Sequence, residues 1–312
     1  MLNSPIFFSI VVPTYNRAHL ISSTIESILS QGYRHYEVII VDDGSTDNTE
    51  ELVQKYLSDN VFYYKKQNAE RAAARNFGTL KAKGDYINWF DSDDIMFFNH
   101  LQVAANAIMK YNQPEVLAQG HQHQYVSGET LQVLSYSSHV NDELYKGNPM
   151  ANSPVLVRRD IALQNQFNED RELSGSEDFE LWLRLAAKYK IYTSSDTTVA
   201  VIYHAERSTI TMSNPDQLIK RYTKFLHYTT TNDEVLALLG SNRSFFEMKN
   251  YLMLAVDLVN NNYLELGQKY FKTALAKSPK VIFERGFYAY LKHFFRQRVS
   301  PFNPASDLSL KS

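Results

Sequence analysis

The chain has no cysteine, only 2 tryptophans, and no apolar run approaching the roughly 18 residues that a membrane-spanning helix needs. Without cysteine there are no disulfides, thiolate metal sites or cysteine nucleophiles, so any metal must rest on oxygen or imidazole. A dominant charge is also missing: 32 Lys and Arg face 34 Asp and Glu, a net charge of -2. No broad basic field exists to hold nucleic acid, no nucleic-acid partner is expected, and any contact with an anionic surface has to be local. The opening MLNSPIFFSIVVP lacks the basic n-region of a secretory signal, which predicts a cytoplasmic protein. What is present is ordinary globular material, with 44% hydrophobic and 21% charged residues over 312 positions. At about 150 residues per domain, that length fits one large domain or a domain with an appendage. Aromatic content is 13%, carried by 21 Tyr and 18 Phe. Such rings suit sugar and nucleobase surfaces as well as extra core.

The first third alternates in type. Phe7 to Val12 and Glu37 to Val41 are short, β-branched apolar runs, which read as buried parallel strands. Between them Leu20, Ile21, Thr24, Ile25, Ile28 and Leu29 recur at helical spacing and Gly32 follows as a stop. A second unit runs through the stripe Leu52, Val53, Tyr56, Leu57 to a strand at 61–64. A third runs from Glu70 through an alanine-rich helix to a strand at 86–90. Three such units predict a Rossmann-like α/β fold, a mainly parallel sheet with helices on both faces. After Asp94 the sheet becomes mixed: a helix over 103–111, a hairpin around Ser127-Gly128, a helix carrying Phe179 to Ala186, and late strands at 191–193 and 199–203. From Pro215 the patterns are helical only, over 218–228, 245–259, 263–276 and 281–295. The expected division is a catalytic domain over 1–213, with a nucleotide-binding half to about 110 and an acceptor half over about 111–213, then a helical extension over 214–312.

Polar clusters follow the predicted strands: Pro13-Thr14-Tyr15-Asn16-Arg17, Asp42-Asp43-Gly44-Ser45 and Asp91-Ser92-Asp93-Asp94, with Glu177-Asp178 later in the chain. In an open parallel sheet the carboxyl ends of the strands face one crevice, so the first three converge. Three carboxylates within four residues repel one another unless a cation or hydrogen-bond donors offset them. With no sulfur available, Mn2+ or Mg2+ on one or two carboxylates, completed by substrate phosphates, is the expected cofactor; the bland alternative is a helix cap. Asp42 or Asp43 could accept from a base amide or a ribose hydroxyl, or simply form the turn. Arg75, on a helix of small residues, could reach a base or phosphate, or make a surface ion pair. His121 and His123 alternate on a predicted strand with no third ligand nearby, and read as structural or acceptor-facing.

Together FSIVVPTYNR, EVIIVDDGSTDNT, ERAAARNFG, GDYINWFDSDD and SEDFELWLRL with a later His-x-x-x-Ser resemble the family 2 glycosyltransferases, in family order from about residue 7 to 213. The resemblance implies the A-type nucleotide-sugar fold and places the nucleotide on Pro13, Tyr15, Arg17, Asp43 and Arg75, with Asp93 at the ribose and Asp94 on the metal. It makes Asp178 the catalytic base, with Glu177 as rival because a one-residue shift in helix start exchanges the side chain facing the cleft. It puts His204, as a metal ligand, and Ser208 in a loop near the diphosphate. The implied reaction is inverting transfer of a sugar, from a UDP-sugar by family habit, to a hydroxyl on a glycan or lipid-linked glycan in cell-surface polysaccharide or glycolipid assembly. A catalytically silent sugar-nucleotide or glycan-binding protein on the same scaffold is the alternative, which the intact acid set disfavours. A nucleotidyltransferase would want a glycine- and lysine- or arginine-rich loop after the first strand, and Pro13 to Arg17 is not one.

The tail lies outside the resemblance. Residues 280–298 carry Lys280, Arg285, Lys292, Arg296 and Arg298 against Glu284 alone, interleaved with Phe and Tyr. This stretch reads either as a peripheral contact with the inner face of an anionic membrane or as a terminal helix packing its aromatics on the tail.

Overall fold

The computed structural model describes residues 5–204 and 213–299. Among them one sheet of nine strands forms. The strands are β1 (Phe8–Thr14), β2 (Tyr36–Asp42), β3 (Val61–Lys65), β4 (Tyr86–Trp89), β5 (Ile95–Met96), β6 (Val116–Tyr125), β7 (Thr130–Leu134), β8 (Val155–Arg158) and β9 (Ile191–Tyr203). The order across the sheet is β3-β2-β1-β4-β8-β6-β9-β5, with β7 added on β6. β1 to β4 are mutually parallel, β8 runs against both β4 and β6, and β9 runs with β6.

Helices cover both faces: α1 (Ile21–Leu29), α2 (Thr49–Gln54), α3 (Glu70–Lys81), α4 (His100–Lys110), α5 (Val140–Glu143), α6 (Arg159–Gln164) and α7 (Glu177–Lys188). Every residue of β1 and β2 is buried, the pattern demanded of parallel strands packed on both sides. Phe8, Ile10 and Val12 go to one face with Ile21, Ile25 and Ile28 of α1, whereas Val11 goes to the other with Ala72 and Ala74 of α3 and Trp182 of α7. Each fully buried Val or Ile contributes about 1.5–3 kcal/mol, so the two apolar layers fix this part of the sheet. Close approach matters at Gly78, where an added Cβ would lie 2.3 Å from Val11 Cγ1 and 3.2 Å from Val41 Cγ2. Glycine therefore lets α3 rest directly on β1 and β2, and it delivers Arg75, one turn earlier, to the strand ends.

Two of the expected elements take different bounds. The late strands at 191–193 and 199–203 are one continuous β9, because register shifts on both sides of Gly120 absorb the polar Ser194-Ser195-Asp196 that reads as a break. The helix expected over 281–295 begins instead at Arg285, after a 3₁₀ turn over Pro279–Phe283 whose first turn is capped by Ser278.

Beyond the sheet the described elements are helical: α8 (Pro215–Thr230), α9 (Asp233–Leu239), α10 (Arg243–Asn260), α11 (Leu264–Lys277) and α12 (Arg285–Val299). Asn214 caps α8 by accepting from the Asp216 amide at 2.9 Å, with Pro215 at the first helical position. The rings of Phe179 on α7 and Phe225 on α8 stack at 5.1 Å, and Phe246 of α10 lies 5.9 Å from Phe225. The helical segment thus shares a core with α7, the helix whose first turn carries Glu177 and Asp178.

Candidate active site

The ends of β1, β2 and β4 open on a cavity of about 460 Å³. Pro13, Tyr15, Arg17, Asp43, Arg75, Asp93, Asp94, Glu177 and Asp178 all line it. His204 is placed beside them by its contact with Asp93, and Ser208 lies outside the described residues.

The β1 loop is held by its neighbour. Asn16 adopts a left-handed conformation with φ 51°, accepts from the Thr46 amide at 2.8 Å and donates its own amide to Ser45 Oγ at 2.9 Å. This tie leaves the exposed Tyr15 ring at the mouth of the cavity. Asp42 is the turn former, accepting from the Ser45 amide and from Tyr63 Oη. Asp43 is the acid that faces the cavity, where it pairs with Lys66 Nζ at 2.6 Å and accepts from the Ala69 amide at 3.0 Å.

The acids after β4 each take a different partner. Asp91 Oδ1 accepts from Arg75 Nη2 at 2.7 Å, Asp93 Oδ2 meets His204 Nε2 at 2.9 Å, and Asp94 accepts from Ser153 Oγ at 2.5 Å and from the Ile202 amide at 3.1 Å. Donors therefore offset part of the repulsion that the spacing alone implies. No three acids or histidines among the described residues close on one point. A cation would consequently be held by few protein ligands, with substrate oxygens completing its shell, and the carboxylate oxygens on the cavity wall, with the His204 imidazole beside Asp93, fit a hard divalent ion of that kind. His121 and His123 do share a face, their rings 5.2 Å apart, but His121 Nδ1 is engaged by Tyr136 Oη at 2.8 Å and the His123 ring lies against Tyr203.

Glu177 and Asp178 are neighbours in chain and opposites in environment. Glu177 is buried, receives Arg75 Nη1 at 2.9 Å and the Gly175 amide at 2.6 Å, and lies 3.7 Å from Arg71. Burial opposes its ionisation, but the guanidinium groups of Arg71 and Arg75 outweigh that and hold its carboxyl below the usual range. Asp178 is half-buried on the cavity wall, with Oδ1 on the Phe179 amide at 2.6 Å and Oδ2 at 3.4 Å from Asn148 Nδ2. Burial first, and then the adjacent Glu177 charge, push its carboxyl up to about 7. A carboxylate that gains a proton near neutrality suits a general base, whereas an ionised acid clamped by arginine suits a scaffold.

Thr14 belongs to the strand-end cluster legible in the sequence, whereas Asn152 on the cavity wall and Ser153 behind it are not legible there. Thr14 Oγ1 and Asn152 Oδ1 are buried without a hydrogen-bond partner among the described residues, and both residues line the cavity. Ser153 accepts from the Asp91 amide at 3.1 Å and donates to Asp94, stitching the acid loop to the start of β8. Removing its hydroxyl in Ser153→Ala takes the donor from Asp94 Oδ2 and the acceptor from the Asp91 amide, and a hydrogen bond to a charged partner contributes about 1.5–3 kcal/mol. Urea unfolding should register a loss of that order, and an unchanged midpoint would mean that Asp94 is held by other contacts.

The profile described as Glycosyl transferase family 2 matches residues 9–163. An uncharacterised glycosyltransferase of Rickettsia prowazekii is 28% identical over 294 residues, which cover 90% of this chain and 87% of that protein. Residues 1–349 of Staphylococcus aureus TarS, solved with UDP-GlcNAc, superpose with a TM-score of 0.62 at 18% identity, covering 94% of this chain and 92% of the other. The mannosyltransferase PcManGT of Pyrobaculum calidifontis, solved with GDP-Man and Mn2+, gives a TM-score of 0.55 at 16% identity, covering 96% and 89%. These two likenesses show the shared fold.

Proposed function

We propose that this chain, whose residues 9–163 belong to glycosyl transferase family 2, is an inverting glycosyltransferase that moves a sugar from a nucleotide diphosphate donor to a hydroxyl acceptor. The observation that carries the reading is the split between Glu177 and Asp178, which leaves one carboxylate of raised pKa on the wall of a cavity built from three strand ends. Asp178 takes the proton of the acceptor hydroxyl as that oxygen attacks the anomeric carbon from the face opposite the diphosphate, and a single displacement inverts the centre. Tyr15, Asp43 and the polar atoms of Thr14 and Asn152 form the nucleotide-sugar wall, and Arg75 holds Glu177 and Asp91 in register around it. A divalent cation, Mn2+ or Mg2+, would be held by Asp94 with Asp93 and His204 alongside, and would neutralise charge on the departing diphosphate.

A uridine donor is favoured by the UDP-GlcNAc bound in TarS, although PcManGT holds a guanosine donor on the same fold. The acceptor is read as a glycan or lipid-linked glycan in cell-surface polysaccharide or glycolipid assembly, with the enzyme at the cytoplasmic side. The test is a donor screen by nucleotide release over UDP-, GDP- and dTDP-sugars with Mn2+ and with EDTA. Release above background from none of them, in the presence of a glycan acceptor panel, would defeat the reading. A calorimetric titration of UDP isolates the cation: Mn2+ is expected to tighten binding at least tenfold over EDTA, about 1.4 kcal/mol or more, and Asp94→Ala is expected to remove that gain. Equal affinity in both conditions would take the cation out of the mechanism.

A further inference from the structure

We propose that the exposed stripe of α12 and the turn before it form a docking surface for an anionic lipid bilayer. The aromatics of this segment divide into two sets. Tyr290 stacks on Phe271 at 4.5 Å, Phe287 lies 5.9 Å from Phe271, and Phe294 is buried beside Tyr290, so that face of the helix packs on α11. On the other side Phe283 is 79% exposed, Tyr288 64%, Phe295 56% and Ile282 44%. One face of the helix thus packs its aromatics on the tail, and the opposite face leaves its own exposed.

Basic residues join the exposed set. Arg285, Tyr288, Lys292, Phe295 and Arg296 follow one another at three- and four-residue steps or adjacent positions, which places them on a single stripe, and all are exposed. Among the described residues none of Lys280, Arg285, Lys292 or Arg296 makes an ion pair. The local acid, Glu284, is taken by Lys249 at 2.7 Å. His293 is held neutral by burial and by Lys292 and Arg296, so it adds nothing to the stripe's charge at neutral pH. Residues 264–299 carry eight Lys and Arg against two Glu, within a chain whose net charge is -2. The basic field absent from the protein as a whole is concentrated here.

Solvent-facing aromatics interleaved with unpaired cations match the headgroup region of an anionic leaflet, where rings enter the interface and Lys and Arg meet lipid charge. An acidic protein partner would satisfy the cations but leave the dispersed rings without a pocket. No described helix is long and apolar enough to cross a membrane, so the contact is peripheral. It is independent of the glycosyl-transfer reading.

The test is co-sedimentation of the full chain with vesicles of phosphatidylcholine alone and of an equal mixture with phosphatidylglycerol, at low and high salt. Binding is expected only to the mixture and is expected to fall as salt screens it. Arg285→Glu with Lys292→Glu and Arg296→Glu should weaken binding by at least on the order of a hundredfold. Phe283→Ser with Tyr288→Ser and Phe295→Ser should weaken it while retaining the salt dependence. Circular dichroism and thermal midpoints of both variants separate loss of the surface from loss of folding. Absence of binding to the mixture at low salt overturns the proposal, as does a folded charge-reversal variant that binds like the parent. A stripe that is instead occupied by a second copy of the chain, seen as a dimer that dissociates in either variant, also overturns it.

Discussion

Asp178→Asn is expected to lower kcat for sugar transfer by about 10² to 10⁴ while leaving nucleotide affinity near that of the parent. The amide preserves shape and still accepts from the Phe179 amide, but it cannot take a proton from the acceptor hydroxyl. Glu177 cannot replace it, because its carboxylate is tied to Arg75 and the Gly175 amide and is held ionised. The pH profile supplies a second readout. Asp178 must be deprotonated to act, and its carboxyl is raised to about 7, so kcat/KM of the parent should climb with pH through neutrality and level off above it. In Asp178→Asn the residual rate should lose that limb. Parental turnover in this variant, or an unchanged acid limb, would assign the base elsewhere.

The parts of the fold legible in the sequence are those where one short segment carries a strong pattern. β1 and β2 are continuous β-branched runs because both faces are covered, and α3 and α7 announce themselves by spacing. β8 is four residues behind Asn-Ser-Pro and β5 only two, too short for any period to show. Both nevertheless matter to the site, because β8 brings Ser153 under Asp94 and β5 follows directly from the acid loop. The acids themselves were legible as strand-end clusters, and the crevice rule gathers them into one cavity. Their pairings were not legible, since each crosses a long stretch of chain: 102 residues separate Arg75 from Glu177, and 111 separate Asp93 from His204. The contrast in environment between Glu177 and Asp178 rests on one such pairing. Arg75 belongs to a helix of alanines whose pattern shows only that it packs closely, not which acid its guanidinium meets.

That pairing makes Arg75 a position where a substitution should cost much stability. The side chain is 2% exposed, both Nη atoms are on carboxylates, and the guanidinium also stands 5.1 Å from the centre of the Phe167 ring. Removing one partner of a buried pair leaves an uncompensated charge, which costs about 3–5 kcal/mol. For a chain of this size Arg75→Met should accordingly lower the thermal midpoint on the order of 10 °C. Arg75→Lys should recover little, because a single ammonium cannot span Asp91 and Glu177 as the planar fork does. Glu177→Gln added to Arg75→Met should restore part of the loss, since it removes a buried carboxylate that has lost its nearer guanidinium, and that recovery distinguishes a broken ion pair from a cavity. The two single variants should also move the acid limb of kcat/KM in opposite directions. Arg75 lowers the Asp178 carboxyl and Glu177 raises it, so Arg75→Met should carry the limb to higher pH and Glu177→Gln to lower pH. Limbs that shift together, or do not shift at all, would mean that the Arg75–Glu177 pair supports the fold without tuning the base.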